Sequence, residues 1–206
     1  FDRGDVVTDY LRVGIVPQSA EARDSFEAAS GALAYMLGLA PGAETEIDVL
    51  VPLYAESPAP PKRARSAGMA WVAEQFAQSR AAWQSAADRV TIEVPDVAKP
   101  AVESLRSQLG YILVNRAGPA IQPGTRSYAR SWIRDGALTS SALLRLGHPE
   151  PVKEFITWYA PHQYENGKAP CVVDWRGADP VPEHDSSGEF IFLVAEYWRY
   201  TQDTAL

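Results

Sequence analysis

A single cysteine, Cys171, stands among 206 residues, so no disulfide can form within the chain, and one thiol does not decide between cytoplasm and export. Basic charge is scarce as well: 19 Lys and Arg face 26 Asp and Glu, a net charge of -7. The corresponding pI is near 5.0. Phosphate backbones are gripped by dense basic patches, and the one concentrated run here, PKRAR at 61–65, reads as a solvated loop, so nucleic acid is not an expected partner. Long apolar runs are missing too. GALAYMLGLA at 31–40 is interrupted by glycine and falls short of the roughly 18 residues a bilayer-spanning helix needs; it reads as a strand, and no membrane span is expected. Phe1 stands where an initiator methionine would, without a signal-peptide pattern, so a piece of a longer chain is expected and the compartment stays open.

What is present is ordinary globular material, 46% hydrophobic and 22% charged, in two textures. The first 60 residues are strand-like. DVVTDYLRVGIV at 5–16 is rich in valine, GALAYMLGLAPG ends in a Pro-Gly turn, and TEIDVLVPLY at 45–54 alternates Ile47, Val49 and Val51 with Glu46, Asp48 and Leu50. ESPAPPKRAR at 56–65 is a proline-rich connector, and residues 61–95 form a linker with one helix, MAWVAEQFAQSRAAWQSAADR at 69–89, whose Val72, Phe76 and Trp83 share a face; Trp71 and Trp83 read as core. A short strand, VTIEV, follows at 90–94. From 96 onward the period is helical. VESLRSQLGYILVNR at 102–116 stripes Val102, Leu105, Leu109, Ile112 and Leu113, with Asp96 as a cap and Pro100 in the first turn. GALTSSALLRLG closes on Gly147, PVKEFITWYAPHQ opens on Pro151, and SGEFIFLVAEYWRYTQD spans 187–203. That last helix is apolar almost all round and would expose Ile191, Leu193, Val194 and Trp198 unless further helices pack on it.

Two long inter-helix loops, 115–135 and 164–186, hold most of the unusual chemistry. The first carries Trp132, Arg134 and Asp135, which read either as a surface ion pair beside a tryptophan or as ligands. The second carries Asp174, Trp175, Arg176, Asp179, Glu183, His184 and Asp185, with Glu189 just inside the following helix. It can be read as a solvated acidic loop with Asp185 or Ser186 capping the helix, as a calcium loop, as a zinc site, or as a sugar-binding and acid/base loop. A calcium loop would want a helix-loop-helix register that DWRGADPVPEHD lacks, and zinc would want a second histidine nearby, so no metal or other cofactor is expected. Carboxylates and guanidinium groups pair with adjacent sugar hydroxyls while indole covers the apolar ring face, and each loop supplies that set. The two loops are therefore expected to converge on one pocket, with His162 and Tyr164 as further contributors.

SYARSWIRDGALTSSALLRLGHPEPVKEFITWYAPHQ resembles the glucoamylase-like, six-hairpin (α/α)6-barrel glycosidases, in which a Trp-x-Arg-Asp segment before a small-residue helix grips the non-reducing-end sugar; EHDSSGEFIFLVAEYWRYTQD is similar to that family's acid and Gly-Glu helix opening. The resemblance implies a mixed fold, with a β-sandwich remnant over 1–60, the linker over 61–95, and the first α-hairpins of an incomplete barrel over 96–206. It implies an inverting glycoside hydrolase acting on an oligo- or polysaccharide, with a glycoside phosphorylase or a non-catalytic carbohydrate-binding or structural module as alternatives. Trp132, Arg134, Asp135, Trp175, Arg176 and Glu189 would bind the sugar, and Glu183, Asp185 and Asp174 are the acid/base candidates, their pKa expected to rise against aromatic walls. The C-terminal part of the barrel would be the missing partner, and the 206-residue piece alone is expected to be inactive.

Overall fold

The computed structural model describes residues 5–26, 28–51 and 65–206, with side chains in the last stretch described from Met69 onward. The chain divides into two compact units, Phe1–Pro58 and Ala59–Leu206. The PKRAR cluster up to Ala64, the connector and the 52–54 end of the third expected strand lie outside the described residues.

In the first unit, the valine-rich stretch expected as a strand is a helix, α1 (Val6–Val13). The Asp5 carboxylate accepts from the Val7 and Thr8 N–H groups at 3.0 and 3.2 Å, Asp9 pairs with Arg12 at 2.9 Å, and Gly14 ends the helix at φ 70°. These end signals outweigh the β-propensity of the valines. The expected strands at 31–40 and 45–51 are not in a ladder either; their apolar side chains, Met36 at 99% and Val51 at 75% among them, are exposed. A strand persists only with a hydrogen-bonded neighbour, and the described residues of this unit supply no ladder for them. No β-sandwich is present among them.

The second unit is helical apart from a small sheet. Its elements are α2 (Arg65–Ala87), α3 (Lys99–Val114), β1 (Ser131–Trp132), α4 (Ile133–Arg145), α5 (Pro149–Tyr159), β2 (Val172–Asp174), β3 (Gly177–Ala178) and α6 (Ser186–Thr201). The core collects one apolar stripe from each of three helices: Ile133, Ala137 and Leu144 of α4, Val152, Phe155, Ile156 and Tyr159 of α5, and Phe190, Leu193 and Tyr197 of α6. These spacings of three, four and seven put each set on one helical face. Gly136 lets α4 and α5 meet: a Cβ there would sit 2.5 Å from Cε1 of Phe155. The α4–α5 corner is a Schellman turn, with His148 N–H on the Leu143 carbonyl, Gly147 N–H on Leu144, and Gly147 at φ 78°.

Several expectations need correction here. Pro149, and not Pro151, starts α5. Asp96 opens a 3-10 turn and pairs with Lys99, and the N-cap of α3 is Ala98. VTIEV forms no strand, because Val90 packs against the α4–α5 corner beside Gly147 and has no strand neighbour. Only the second half of the α3 stripe reaches the core, Leu105 remaining 40% exposed. Phe76 and Trp83 of α2 are exposed as well, since no described element covers that face. On α6, Leu193 is fully buried against α4 and α5, and it is Ile191 and Trp198 that face solvent.

Candidate functional site

The three-stranded antiparallel sheet, ordered β1-β2-β3, brings the two long loops together. Ser131 pairs with Val173 and Trp132 with Val172; the ladder runs on through the Ile133 N–H to the Cys171 carbonyl at 2.9 Å. The Trp-x-Arg-Asp segment is therefore stitched at its base to the start of the acidic loop. The two loops meet through the β1–β2 ladder and the bond of Arg134 to Asp185.

β2 and β3 form a hairpin over Trp175 and Arg176, with Asp174 facing Gly177. The Asp174 carboxylate accepts the Arg176 N–H at 2.8 Å, an Asx turn, and Gly177 takes φ 102°, which a side chain would strain. Arg176 closes back on the same carboxylate through Nη2 at 2.6 Å. Arg130, from the segment before β1, reaches across with Nε on Asp174 at 2.8 Å and Nη2 on Asp179 at 2.7 Å. Asp174 thus sits between two guanidinium groups with only 3% of its side chain exposed. Arg176, then Arg130, hold the Asp174 carboxyl far below the usual range, and Arg130 lowers that of Asp179. The Arg130 guanidinium also lies 5.6 Å from the centroid of the Trp132 ring, and Tyr128 packs on that ring at 6.1 Å.

A second cluster forms one helical step away. Arg134, in the first turn of α4, donates from Nε to Asp185 at 2.6 Å and from Nη2 to Glu183 at 2.9 Å. Asp185 is the residue at the N-cap of α6, but its carboxylate turns to Arg134 and makes no cap bond; only its carbonyl accepts, from Glu189 N–H. Arg134 draws the Asp185 carboxyl below its ordinary value, and the two partners raise the guanidinium further above its own. Asp135 stands beside Arg134 in the same turn, half-buried, and adds its charge to the cluster. Glu189 occupies the first turn of α6.

The expectation that aromatic walls raise the pKa of the acid/base candidates is reversed for Asp174 and Asp185, because guanidinium groups and not indoles face them. Trp175 is 91% exposed at the hairpin tip, 5.8 Å from its neighbour Arg176. His162 stacks edge-on against Trp158, and the Tyr164 hydroxyl donates to the Asp179 carbonyl at 2.7 Å, bracing the loop. Cys171 is buried and donates to the Val181 carbonyl; burial pushes its thiol up, away from reactivity. Arg130 is the residue that sequence reasoning missed. Its position two residues before a tryptophan and four before Arg134, in a strand-to-helix entry, was the available signal.

No cluster of His, Cys, Asp and Glu among the described residues could hold a metal ion, and none of the described helices is long and apolar enough to cross a membrane. Grooves on the second unit lie elsewhere, one between α5 and α6 around Lys153, Trp158 and Tyr197, another beside Ile191, Val194 and Trp198. No protein-family model, curated protein or solved structure matches this chain.

Proposed function

We propose that the surface built from Trp132, Arg134, Asp135, Glu183 and Asp185 grips a sugar, and that the chain belongs to a carbohydrate-active protein, a glycoside hydrolase of inverting type. The observation that carries this reading is the Arg134 bridge to Glu183 and Asp185 next to the half-buried Trp132. A guanidinium with two carboxylates at the end of a helix presents paired donors and acceptors at the spacing of neighbouring hydroxyls, and the indole offers the apolar face.

In this reading the three carboxyl candidates have different roles. Asp174, covered and clamped by Arg130 and Arg176, is a structural post. Glu183 and Asp185 occupy adjacent nitrogens of one guanidinium, whereas inversion needs two carboxyls about 6.5–9.5 Å apart with a water between. At most one of the two can act on the glycosidic bond while the other holds the sugar. Glu183, with a single 2.9 Å bond to Arg134, is the less restrained and takes the reacting role; Asp185 binds.

The test is a panel of oligosaccharides followed by tryptophan fluorescence and by release of reducing ends, with and without added phosphate. Saturable binding lost in Trp132→Ala and Arg134→Ala, with phosphate-independent hydrolysis lost in Glu183→Gln, is the expected result. Binding without turnover would leave a carbohydrate-binding module, and phosphate-dependent turnover would make it a phosphorylase. Binding indifferent to both substitutions would end the sugar-site reading.

A further inference from the structure

The end of α2 is fastened to the α4–α5 corner by a group unconnected with the sugar-site reading. His148 is 2% exposed, and its Nε2 lies 2.9 Å from the carbonyl of Ala86, sixty-two residues earlier. A carbonyl can only accept, so Nε2 carries the hydrogen and a further proton must enter at Nδ1. Arg89, just past the helix end, donates from Nη1 to the Gly147 carbonyl at 3.0 Å and to the Glu150 carboxylate at 2.8 Å. The two backbones approach so closely that a Cβ on Gly147 would lie 3.3 Å from Arg89 Cβ and from Val90 Cγ2. Asp88, beside Arg89, is held by Arg106 of α3 at 3.2 Å.

We propose that this seat of residues 86–90 on the corner 147–150 is an acid-operated latch: protonation of His148 releases the end of α2 from α4 and α5. An imidazolium here would bring charge into a site closed to water, with the Arg89 guanidinium beside it. Release exposes the ring and restores hydration. Burial is the largest influence and lowers the His148 pKa, and Arg89 acts the same way; the bond to Ala86 and the charge of Glu150 oppose them. Because the latched value lies below that of a free imidazole, about 6.5, the latch is fully stabilised above that pH. It loosens as pH falls through the lowered value. Glu150 is itself held low by Arg89, so it stays charged across this window and does not set the midpoint.

The test is an NMR titration of the 206-residue chain, following the His148 ring and the amides of Ala86, Arg89, Val90 and Gly147. The expected result is a His148 midpoint below about 6.5, with those amides moving at the same midpoint and exchanging faster with solvent on the acid side. In His148→Gln, which keeps an N–H donor but cannot titrate in this range, the amide response should vanish. Should that variant not fold, Arg89→Ala serves instead: with the clasp cut, the amides should already exchange fast at neutral pH and His148 should titrate at its ordinary value. A His148 midpoint at or above the ordinary value, or amides that stay protected through its titration, would overturn the latch. These readouts involve no glycan, so their outcome is independent of the sugar-site reading.

Discussion

Arg134 on α4 and Asp185 at the head of α6 are bonded at 2.6 Å across fifty-one residues, and the same guanidinium takes Glu183. The cluster is about half exposed, 48% for the arginine side chain, so it contributes little to folding. Replacing Arg134 by Ala should leave the melting temperature almost unchanged and, under the proposed sugar-site reading, weaken glycan binding by at least about tenfold, the loss expected for a hydrogen bond to a charged group. Asp135→Asn should act in the same direction. Calorimetry on the same preparations reads both quantities, and a large drop in melting temperature with unaltered binding would make the cluster structural.

Gly136→Ala should be strongly destabilising, because the new methyl would occupy space held by the Phe155 ring. Overpacking of a tight core costs about 1–3 kcal/mol. Denaturant unfolding measures it, and Gly136→Ala together with Phe155→Leu should recover part of the loss. A neutral single variant would mean that α4 and α5 are free to separate.

The β2–β3 hairpin should be insensitive to acid from neutral pH down to the ordinary carboxylate value. The Asp174 carboxyl is lowered in the fold, so its contribution is fully present above about pH 3.9 and is lost only as pH falls through the lower folded value. Amide exchange at Arg176, Gly177 and Ala178, corrected for its intrinsic pH dependence, should show constant protection from neutral pH down to about 4. In Asp174→Asn, protection should be low throughout, since Arg130 and Arg176 lose their shared counter-charge.

Tyr159→Phe tests the joint between α5 and the sheet. Its hydroxyl, wholly buried, donates to the Pro170 carbonyl at 2.9 Å, just before β2. Removing it leaves that carbonyl unpaired and should cost about 1–3 kcal/mol, read in urea. Burial keeps this hydroxyl protonated well beyond the ordinary tyrosine range, and it also raises Tyr164 and Tyr197, so the near-ultraviolet signal of phenolate formation should develop later than in the unfolded chain, and the latest part of it should be missing in Tyr159→Phe.

The helices of the second unit were legible because their apolar residues recur at three and four and their ends carry Pro and Gly, as at Pro100 and Gly147. In the first unit the valine content points to a strand, while the signals that prevail are Asp5 and Gly14, a capping acid and a left-handed glycine nine residues apart that bracket α1. Of the site, residue types and loops could be read from the sequence, and the partner assignments could not. Nothing in the order of residues says that Asp185 forgoes its helix for Arg134, or that Asp174 serves Arg130 and Arg176 in place of a ligand. Those choices depend on the sheet register, which is a tertiary property.

The pairing of Ser131 with Val173 also ties residues 131–173 into a closed ring containing α4 and α5. Tension applied at the two ends of the chain would reach this ring at neighbouring points on antiparallel strands and would draw the β1–β2 bonds apart one after another. In a single-molecule pulling trace, that arrangement opens by unzipping at low force and releases the α4–α5 hairpin as one step of extension.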